Sequence, residues 1–483
     1  MNGVEAPRGR RHGDHRAPRT TARPWLRDLF SELGREPAGV AGFFMLALFL
    51  AGAVFEKRLV TFPETSSRWH DITYWDEQPA SAPPVWTNAF AARKSAVSLV
   101  LGPSRSSRET SDAARLVTTV FTYLYHYDLP PRDLVVHFRG TGEIPLAITL
   151  TRPDGAEITL DQEQVSAGSG MDVRISTDKS AGQAALGLLQ GSESAEAMAG
   201  VDVDRIRPTT VLFSQAGPGM LARPQALKGA YTLTLLAVLP TAAAQVSDPR
   251  LVVTGRVNGL LGTDNSKRDL WSGIIAGIKW ALLIGLLTAF VSVAIGVVWG
   301  VTAAYFGGPV NWVMQRIFEI FSNQPVLPLL IVISAIFKPS IWFLIVIMSV
   351  FFWTGPVKTV YAMALSIREE TYIEASRALG AGSARLIFRH MVPLLIPYAF
   401  ASMALSVPGA VVYESTVSLL GLGDATIVTW GQILHDAFTG GAVLGGLWWW
   451  VVPPGLMIAL MGMTFSFIGF AMDRILHPKL RTR

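Results

Sequence analysis

A short charged segment lies between two long apolar runs near the end of the chain, and its residues suit contact with a soluble partner. Glu374, Ala375 and Ala378 fall within about one helical turn of one another. The small alanine side chains let the backbone of another protein come close. Gly380 can end that helix, and Pro393 fits the start of the next one. The segment is therefore predicted to be a docking helix at the cytoplasmic surface of a membrane.

Two carboxylates fall inside apolar runs, where a charge is costly unless it faces the bundle interior or water. Glu319 follows Arg316 by three residues on the same helical face, which favours an internal ion pair near the cytoplasmic boundary. Glu414 lies near the outer end of its run, beside Ser415. It either lines a polar path for a substrate or bonds within the bundle, and we favour the structural role. Gln324 is a second candidate for such a path.

The sequence lacks the residues of several kinds of catalytic site. It has no cysteine, which excludes thiolate metal sites, catalytic cysteines and disulfides. No lysine follows a glycine, so the phosphate-binding loop Gly-x-x-x-x-Gly-Lys is absent. The chain therefore cannot hydrolyse a nucleotide through such a loop, and we expect no cofactor in it.

The composition indicates a membrane protein. Of the 483 residues 50% are hydrophobic and only 16% are charged. The apolar residues form runs long enough to cross a hydrocarbon core, which takes about 20 helical residues. Six spans are predicted, near residues 38–55, 276–304, 313–337, 340–364, 392–416 and 449–472.

The distribution of arginine and lysine sets the expected orientation, since cytoplasmic segments carry an excess of both. Cations are concentrated in the N-terminal tail, the C-terminal tail and the docking segment. Both termini are therefore expected in the cytoplasm, and the net charge of +5 reports membrane orientation rather than nucleic-acid binding. The predicted organisation is a partly disordered tail at 1–37, a first span at 38–55, an outer domain at 56–259, and a core at 260–483 whose cytoplasmic loop is 365–391.

The outer domain is predicted to be an α+β domain with a β-rich core. Alternating apolar residues bounded by turn residues indicate strands. The strands are expected at Asp133–Phe138, Ile144–Leu150, Glu157–Leu160, Tyr231–Leu239 and Arg250–Val257. Helices are expected at Asp112–Leu124, Ala184–Leu189 and Glu193–Ala199.

Other residues within the spans predict how the helices bend and pack. Prolines remove backbone hydrogen bonds, so Pro325, Pro328, Pro397 and the pair Pro408 and Gly409 predict local bends. Gly285, Gly296 and Gly300 permit close approach of a partner helix. Four tryptophans are predicted to form an interfacial aromatic belt. They are Trp430, Trp448, Trp449 and Trp450.

The docking segment resembles the Glu-Ala-Ala loop of permease subunits of ATP-binding-cassette importers. Two positions depart from that pattern, because Ser376 replaces the second alanine and His390 replaces an isoleucine. The resemblance implies that the segment couples the permease to an ATPase subunit. The residues it assigns to coupling are Tyr372, Glu374, Ala375, Ser376, Ala378, Leu379, Gly380 and Pro393.

The segment ahead of the second span sharpens the resemblance. Its Leu-Gly-Thr-Asp at residues 261–264, followed by Arg268 and Asp269, is similar to the C-type permease of dipeptide, oligopeptide and nickel importers. Lys267 stands where that family has glycine, and Gly273 where it has arginine. Asp264 or Ser266 is expected to cap a helix along the outer membrane face. Matching motifs continue in order over about residues 260–480, and the long outer domain is the main departure.

The resemblance implies the fold, the partners and the location. The expected fold is a mainly α-helical polytopic membrane protein with about six spans, of the type I ABC importer permease fold, with an inserted extracytoplasmic α+β domain. The expected partners are a second homologous permease, two ATPase subunits that bind ATP and Mg²⁺, an extracytoplasmic solute-binding protein and the lipid membrane. The expected location is a prokaryotic cytoplasmic membrane. Di- or oligopeptides lead as substrates, ahead of nickel chelates and oligosaccharides.

Two other classes of protein remain open from the residues alone. An ion-coupled secondary transporter would be expected to show inverted repeats and ionisable groups at the bilayer midplane. A membrane-anchored sensor would be expected to carry a cytoplasmic signalling domain, whereas the cytoplasmic segments here are short. Neighbouring genes for an ATPase and a second permease would favour the importer.

Overall fold

The protein combines long apolar helices with one sheet-rich domain. The computed structural model describes residues 36–110, 115–141, 144–165, 170–241, 244–337 and 340–476. The predicted tail at 1–37 therefore lies almost wholly outside the described residues. The sheet-rich domain falls between the first long helix and the second, so the chain leaves the helical part and returns to it.

The helices are numbered in chain order. They are α1 Pro37–Val54, α2 Glu56–Leu59, α3 Thr65–Arg68, α4 Lys179–Gln190, α5 Pro208–Leu212, α6 Leu270–Phe306, α7 Gly308–Ser322, α8 Val326–Ile336, α9 Ile341–Phe352, α10 Val357–Arg368, α11 Thr371–Ala378, α12 Ser383–Arg385, α13 Val392–Leu419, α14 Trp430–Thr439 and α15 Trp448–Leu476. A π-helical turn, Leu386–Met391, joins α12 to α13, and short 3₁₀ turns lie at Ile72–Trp75, Val85–Ala89 and Val203–Arg205.

The described helices include four runs that are long and apolar enough to cross a membrane, and six when two bent pairs are counted as spans. The four runs are Pro37–Val54, Leu270–Phe306, Ser383–Leu419 and Trp448–Ile475. The pair α7 and α8 is bent by 75°, and the pair α9 and α10 by 53°. Pro325 precedes α8 and Pro356 precedes α10. The predicted bend at Pro325 is confirmed, and the bend at Pro356 was not predicted. Pro328 lies within α8, and Pro397 and Pro408 lie within α13, which continues through both without a break.

The sheet-rich domain contains nine described strands in two antiparallel sheets. They are β1 Leu99–Leu101, β2 Arg105–Thr110, β3 Arg115–Tyr125, β4 Asp133–Thr141, β5 Ile144–Thr151, β6 Glu157–Val165, β7 Gly170–Arg174, β8 Gly229–Leu239 and β9 Gln245–Thr254. One sheet has the order β1-β9-β4-β7 and the other β2-β3-β8-β5-β6. In β5 buried and partly buried residues alternate along the whole strand, because one face of its sheet is covered.

Both sheets contribute to a single core. Phe138 and Val253 of one sheet belong to the same buried cluster as Phe121, Ile148 and Leu233 of the other. All five side chains are no more than 1% exposed. Burial of this apolar surface is the main source of stability for a domain that has no disulfide.

Most predicted elements of this domain are confirmed, and two helices are wrong. The five predicted strands correspond to β4, β5, β6, β8 and β9, and Ala184–Leu189 lies within α4. The expected helix at Asp112–Leu124 is instead the strand β3 from residue 115 onward, and residues 112–114 lie outside the described residues. The expected helix at Glu193–Ala199 is a series of turns. There the Glu193 carboxylate accepts hydrogen bonds from the backbone N–H groups of Gly219 and Leu221, at 3.0 and 2.8 Å.

The predicted close packing at three glycines of α6 is confirmed. A Cβ atom at Gly285 would lie 2.7 Å from Val407 of α13. At Gly296 it would lie 2.5 Å from the Trp353 carbonyl oxygen, and at Gly300 it would lie 2.8 Å from Val360. The backbone of α6 therefore touches α13 and the bent pair α9–α10 directly, which suits helix packing in a membrane.

The predicted aromatic belt is wrong for three of its four tryptophans. Trp430, Trp449 and Trp450 are 1%, 8% and 0% exposed, and only Trp448 reaches the surface at 42%. Trp430 donates its indole N–H to the Ile274 carbonyl oxygen at 2.9 Å. These rings fill the protein interior because helices α6, α14 and α15 meet there.

Candidate functional site

Helix α11 forms the docking segment, and its C-terminal end is shaped by a glycine. The helix spans Thr371–Ala378. Gly380 has φ +83°, in the left-handed region that glycine adopts without a Cβ clash. The N–H of Leu379 donates to the Ala375 carbonyl at 3.0 Å, and that of Ala381 to the Ser376 carbonyl at 3.1 Å. Two of the last carbonyl groups of α11 thus accept hydrogen bonds, which stabilises the end of the helix at this point.

One side chain anchors α11 to the helices of the membrane part. Ile373 is fully buried in a cluster that contains Val293 of α6, Leu386 and Met391 of the π turn, and Leu395 of α13. Movement of α11 is therefore mechanically connected to α6 and α13, because a packed core transmits displacement.

A second contact joins α11 to the cytoplasm-facing end predicted for α6. The Arg377 guanidinium lies 5.3 Å from the ring centroid of Tyr305. The Tyr305 hydroxyl in turn hydrogen-bonds to the Ser383 hydroxyl at 3.2 Å. The helix is thus fixed on one side while its opposite side stays open.

The open side carries most of the residues predicted to couple the chain to its ATPase. Leu379 is 89% exposed and Tyr372 is 41% exposed. A leucine exposed to that degree next to small residues is suited to burial against another protein. Glu374, Ala375, Ala378 and Gly380 are also exposed. Ser376 is partly buried, and its hydroxyl donates to the Tyr372 carbonyl at 2.8 Å, so it is occupied within the helix.

Pro393 is the second residue of α13, so the prediction that it lies at the start of a helix is confirmed, although a continuous helical run also reaches it from Ser383. The run passes through the π-helical turn Leu386–Met391 before Pro393, which is exposed. Proline has no N–H to donate, and its ring clashes with the carbonyl group four residues earlier, here Arg389. A widened turn ahead of the proline relieves that clash. The docking loop and α13 are thereby joined by helix rather than by a flexible link.

The two candidates for a polar path lie in different surroundings. Glu414 of α13 is only 3% exposed and accepts hydrogen bonds from Ser418 at 2.8 Å and Ser415 at 3.2 Å. Gln324 is exposed at the bend between α7 and α8, and donates to the Ile320 carbonyl at 3.0 Å. The predicted pair between Arg316 and Glu319 forms at 2.6 Å, but the expectation that it is internal is wrong, because both side chains are exposed. The structure thus buries one path candidate and exposes the other.

The segment ahead of α6 is held by buried charges that the sequence alone did not assign. Asp264 is fully buried, and Arg268 donates from Nε to its carboxylate at 2.5 Å. Arg268 also donates from Nη2 to Asp436 of α14 at 2.7 Å, and its guanidinium lies 4.6 Å from the ring centroid of Trp69. Burial raises the pKa of Asp264, and the charge of Arg268 opposes that rise. The spacing of four residues between Asp264 and Arg268 was the available signal.

The predicted helix cap is also corrected. Asp269 caps α6, since its carboxylate accepts from the Ser272 N–H at 2.9 Å and from the Ser272 hydroxyl at 2.6 Å. Neither Asp264 nor Ser266 has that role. The helix that follows runs on without a break to Phe306, so no separate helix precedes the span as had been expected.

The departure at Lys267 has a structural consequence. Lys267 has φ +66°, a conformation that costs little for glycine and more for other residues. Its ammonium group forms an ion pair with Asp76, which also pairs with Arg174 of β7 at 2.8 Å. Lys267 therefore ties the segment ahead of α6 to the sheet-rich domain.

Comparison with known proteins places the helical part in a transport family. Residues 296–482 match the family model described as binding-protein-dependent transport system inner membrane component. The dipeptide transport system permease protein DppC of Bacillus subtilis is 32% identical over 221 residues, which is 46% of this chain and 68% of that protein. The oligopeptide transport system permease protein OppC of Haemophilus influenzae is 31% identical over 221 residues, or 46% of this chain and 70% of that protein.

Among solved structures, a chain of the MetNI methionine ABC transporter in an inward-facing conformation aligns with 44% of this chain and 96% of its own length. Its identity is 21% and its TM-score 0.34. Together, the sequence relatives and the family model establish the family, and its members are transport components embedded in the membrane. The chain belongs to the family of binding-protein-dependent transport permeases, in the branch that contains the dipeptide and oligopeptide permeases.

Proposed function

We propose that this chain is one permease subunit of an ATP-binding-cassette importer that carries di- or oligopeptides into a prokaryotic cell, and that α11 is its contact with the ATPase. The main structural support for this proposal is the way α11 is held in the fold. One face is anchored through the fully buried Ile373, and the other presents Leu379 at 89% exposure. The names of the relatives, which are peptide permeases, support the substrate class.

In this mechanism α11 acts as a rigid lever. Separate ATPase subunits bind the exposed face, and ATP with Mg²⁺ is bound and hydrolysed there, since this chain lacks the phosphate-binding loop. Closure of the ATPase pair displaces α11, and the buried contact at Ile373 passes that movement to α6 and α13. The two long helices then change the side from which the pathway opens.

The remaining partners and the orientation follow from the same proposal. A second, homologous permease completes the pathway, and a solute-binding protein delivers the peptide from outside. Cytoplasmic segments carry an excess of positive charge, so Arg377 and Arg385 support a cytoplasmic location for the docking loop, and the basic termini support the same location for both ends of the chain. The sheet-rich domain then lies outside, where we infer that it docks the solute-binding protein.

A pull-down of the tagged chain from its native host in mild detergent tests the coupling role. Glu374→Arg reverses a charge on the exposed face of α11, and Leu379→Asp puts a charge in its apolar contact. Either variant is expected to lose the ATPase subunits while retaining the second permease. Glu196→Arg is the matched control, because Glu196 is an exposed glutamate of the sheet-rich domain.

The outcome is read from which subunits co-purify. ATPase recovery with Glu196→Arg but not with the α11 variants supports the coupling surface. Equal recovery of ATPase with all three variants would remove α11 from that role. Deletion of the sheet-rich domain with docking of the solute-binding protein and uptake both intact would contradict the role inferred for that domain.

Glu414 and Gln324 are the proposed polar contacts of the pathway, and their surroundings assign them different tests. The hydrogen bonds of Glu414 to Ser415 and Ser418 already explain its burial. A change of substrate selectivity in Glu414→Gln or Gln324→Ala, with normal amounts of protein in the membrane, would support a place in the path. Unchanged uptake and selectivity in both variants would remove it.

A further inference from the structure

The sheet-rich domain contains a cavity of about 470 Å³ whose charged lining residues are all arginines. Arg132, Arg207 and Arg256 line it, with hydroxyl groups and two apolar residues beside them. Its volume lies within the range of about 300–1,000 Å³ typical of small-molecule sites. The other lining residues are Ser176, Ile206, Pro208, Thr209 and Thr210.

Backbone carbonyl groups hold two of the three guanidinium groups in place. Arg256 donates from Nε to the Pro130 carbonyl oxygen at 2.8 Å. Arg132 donates from Nη1 to the carbonyl oxygen of Ala80 and, at 3.5 Å, from Nη2 to that of Ser81. These contacts fix each side chain without neutralising its charge, so a basic surface is built before any ligand arrives.

The three arginines have no carboxylate within 4.0 Å among the residues that the structure describes. Asp133 follows Arg132 in the sequence, but its carboxylate bonds to groups outside the cavity arginines. It accepts from the N–H groups of Leu134 and Ser176 at 2.8 and 2.9 Å and faces Arg174 at 4.0 Å. The positive charges that line the cavity are therefore not balanced by the protein.

The electrostatics of Arg132 agree with that geometry. Its pKa is lowered by partial burial of the guanidinium, and further by the positive charges of Arg256 and Arg207. Arginine stays protonated in proteins, so the three like charges coexist at neutral pH. An anion bound among them would reduce the repulsion between the three guanidinium groups and accept hydrogen bonds from their free N–H groups.

We propose that this cavity is a binding site for an oxyanion, a carboxylate or a phosphate group carried by a small molecule. The planar guanidinium matches both groups, since each offers oxygen atoms at the spacing of paired N–H donors. Arg207 is the main ligand, because its guanidinium has no hydrogen bond or ion pair with any residue that the structure describes. The site does not depend on the transport activity proposed above.

Isothermal titration calorimetry, which measures the heat of ligand binding, tests this proposal on the purified full chain in a neutral detergent. The chain is titrated with inorganic phosphate and, separately, with sodium acetate, each against sodium chloride at equal ionic strength. Saturable binding of either oxyanion is expected with the unmodified chain, and the stronger of the two identifies the group that the site selects. Chloride is expected to give no saturable signal.

Three variants assign the signal to the cavity. Arg207→Gln and Arg256→Gln are each expected to weaken binding by about tenfold or more, as loss of one charge-assisted hydrogen bond predicts. Arg207→Lys keeps the charge but loses the planar fork, so an intermediate loss is expected. Arg205→Gln is the matched control, since Arg205 is exposed two residues away and does not line the cavity.

The outcomes separate a built site from general attraction to a basic protein. Weakened binding in Arg207→Gln and Arg256→Gln, with full binding in Arg205→Gln, supports the site. The proposal is overturned by equal binding in all variants, by a chloride signal of similar size, or by no saturable binding of either oxyanion. Unfolding midpoints measured for each variant without ligand show whether the cavity variants retain their fold.

Discussion

Replacing Arg268 by methionine tests whether buried charges hold the segment ahead of α6. Arg268 is 7% exposed and bonds to Asp264 at 2.5 Å and to Asp436 at 2.7 Å. Methionine keeps much of the side-chain volume but removes the charge. Asp264, which is fully buried, then has no cation beside it.

The expected loss is large and depends on pH. Removing one partner of a buried ion pair costs about 3–5 kcal/mol, which at roughly 2 °C per kcal/mol lowers the unfolding midpoint by about 6–10 °C. Burial already raises the pKa of Asp264, and loss of Arg268 raises it further. A carboxyl group with a raised pKa binds more protons in the native state, so stability falls as pH rises above its unfolded pKa of about 4. The deficit of the variant is therefore smallest in acid and grows toward pH 8.

Intrinsic fluorescence gives the assay, because the chain contains 14 tryptophans. Thermal unfolding in detergent at pH 5 and pH 8 is compared for the unmodified chain, Arg268→Met and the control Arg139→Met, whose arginine is exposed on β4. Adding Asp264→Asn to Arg268→Met is expected to recover part of the loss, since it removes the unpaired charge. A deficit no larger than that of the control, or one that shrinks from pH 5 to pH 8, would refute the reasoning.

Three further predictions concern single side chains. Gly262→Ala is expected to lower the free energy of unfolding by about 1–3 kcal/mol or more, because φ is +74° and the new Cβ would lie 2.3 Å from a carbonyl oxygen. Gly217→Ala is the control, since its Cβ would meet nothing within 4 Å. Thermal unfolding midpoints of the two variants are compared. Lys267→Gly is expected to change the free energy of unfolding by less than about 1 kcal/mol, since glycine adopts the positive φ without strain and this offsets the lost ion pair with Asp76. Lys267→Ala loses the ion pair and keeps the strained φ, so it should be the less stable variant in the same assay. Glu414→Gln should leave the unfolding midpoint nearly unchanged if hydrogen bonds to neighbouring serine hydroxyls are its main role. The amide oxygen can accept from one serine hydroxyl, and the amide N–H can donate to the oxygen of the other.

The spans and most strands could be predicted from the sequence because their signals are local. Runs of apolar residues define the helices, and alternation defines strands such as β5. Strand β3 was missed although its β-branched and aromatic residues favour a strand. The turns at Glu193–Ala199 have helix-forming composition, but contacts of Glu193 with Gly219 and Leu221 determine their shape. Such distant contacts leave no periodic signal.

The candidate site shows the same division. The position of α11, its small residues and its glycine terminus are local features, and they were predicted. The anchoring role of Ile373 was not, because its neighbours come from α6, the π turn and α13. The exposure of Leu379 does not follow from its residue type, since a leucine is more often buried. Only the family resemblance, which assigned Leu379 to coupling, pointed to it.

Lys267, which stands where the family resemblance has glycine, contacts the sheet-rich domain, which is the main architectural departure from that family. A lysine at φ +66° accepts a backbone conformation that glycine would adopt more easily. Its gain is the ion pair with Asp76, and through Asp76 a connection to Arg174 of the sheet-rich domain. That gain exists only where the domain is present. In a chain from which the domain has been removed, glycine at residue 267 should therefore be the more stable choice, whereas in the full chain lysine and glycine should differ by less than about 1 kcal/mol.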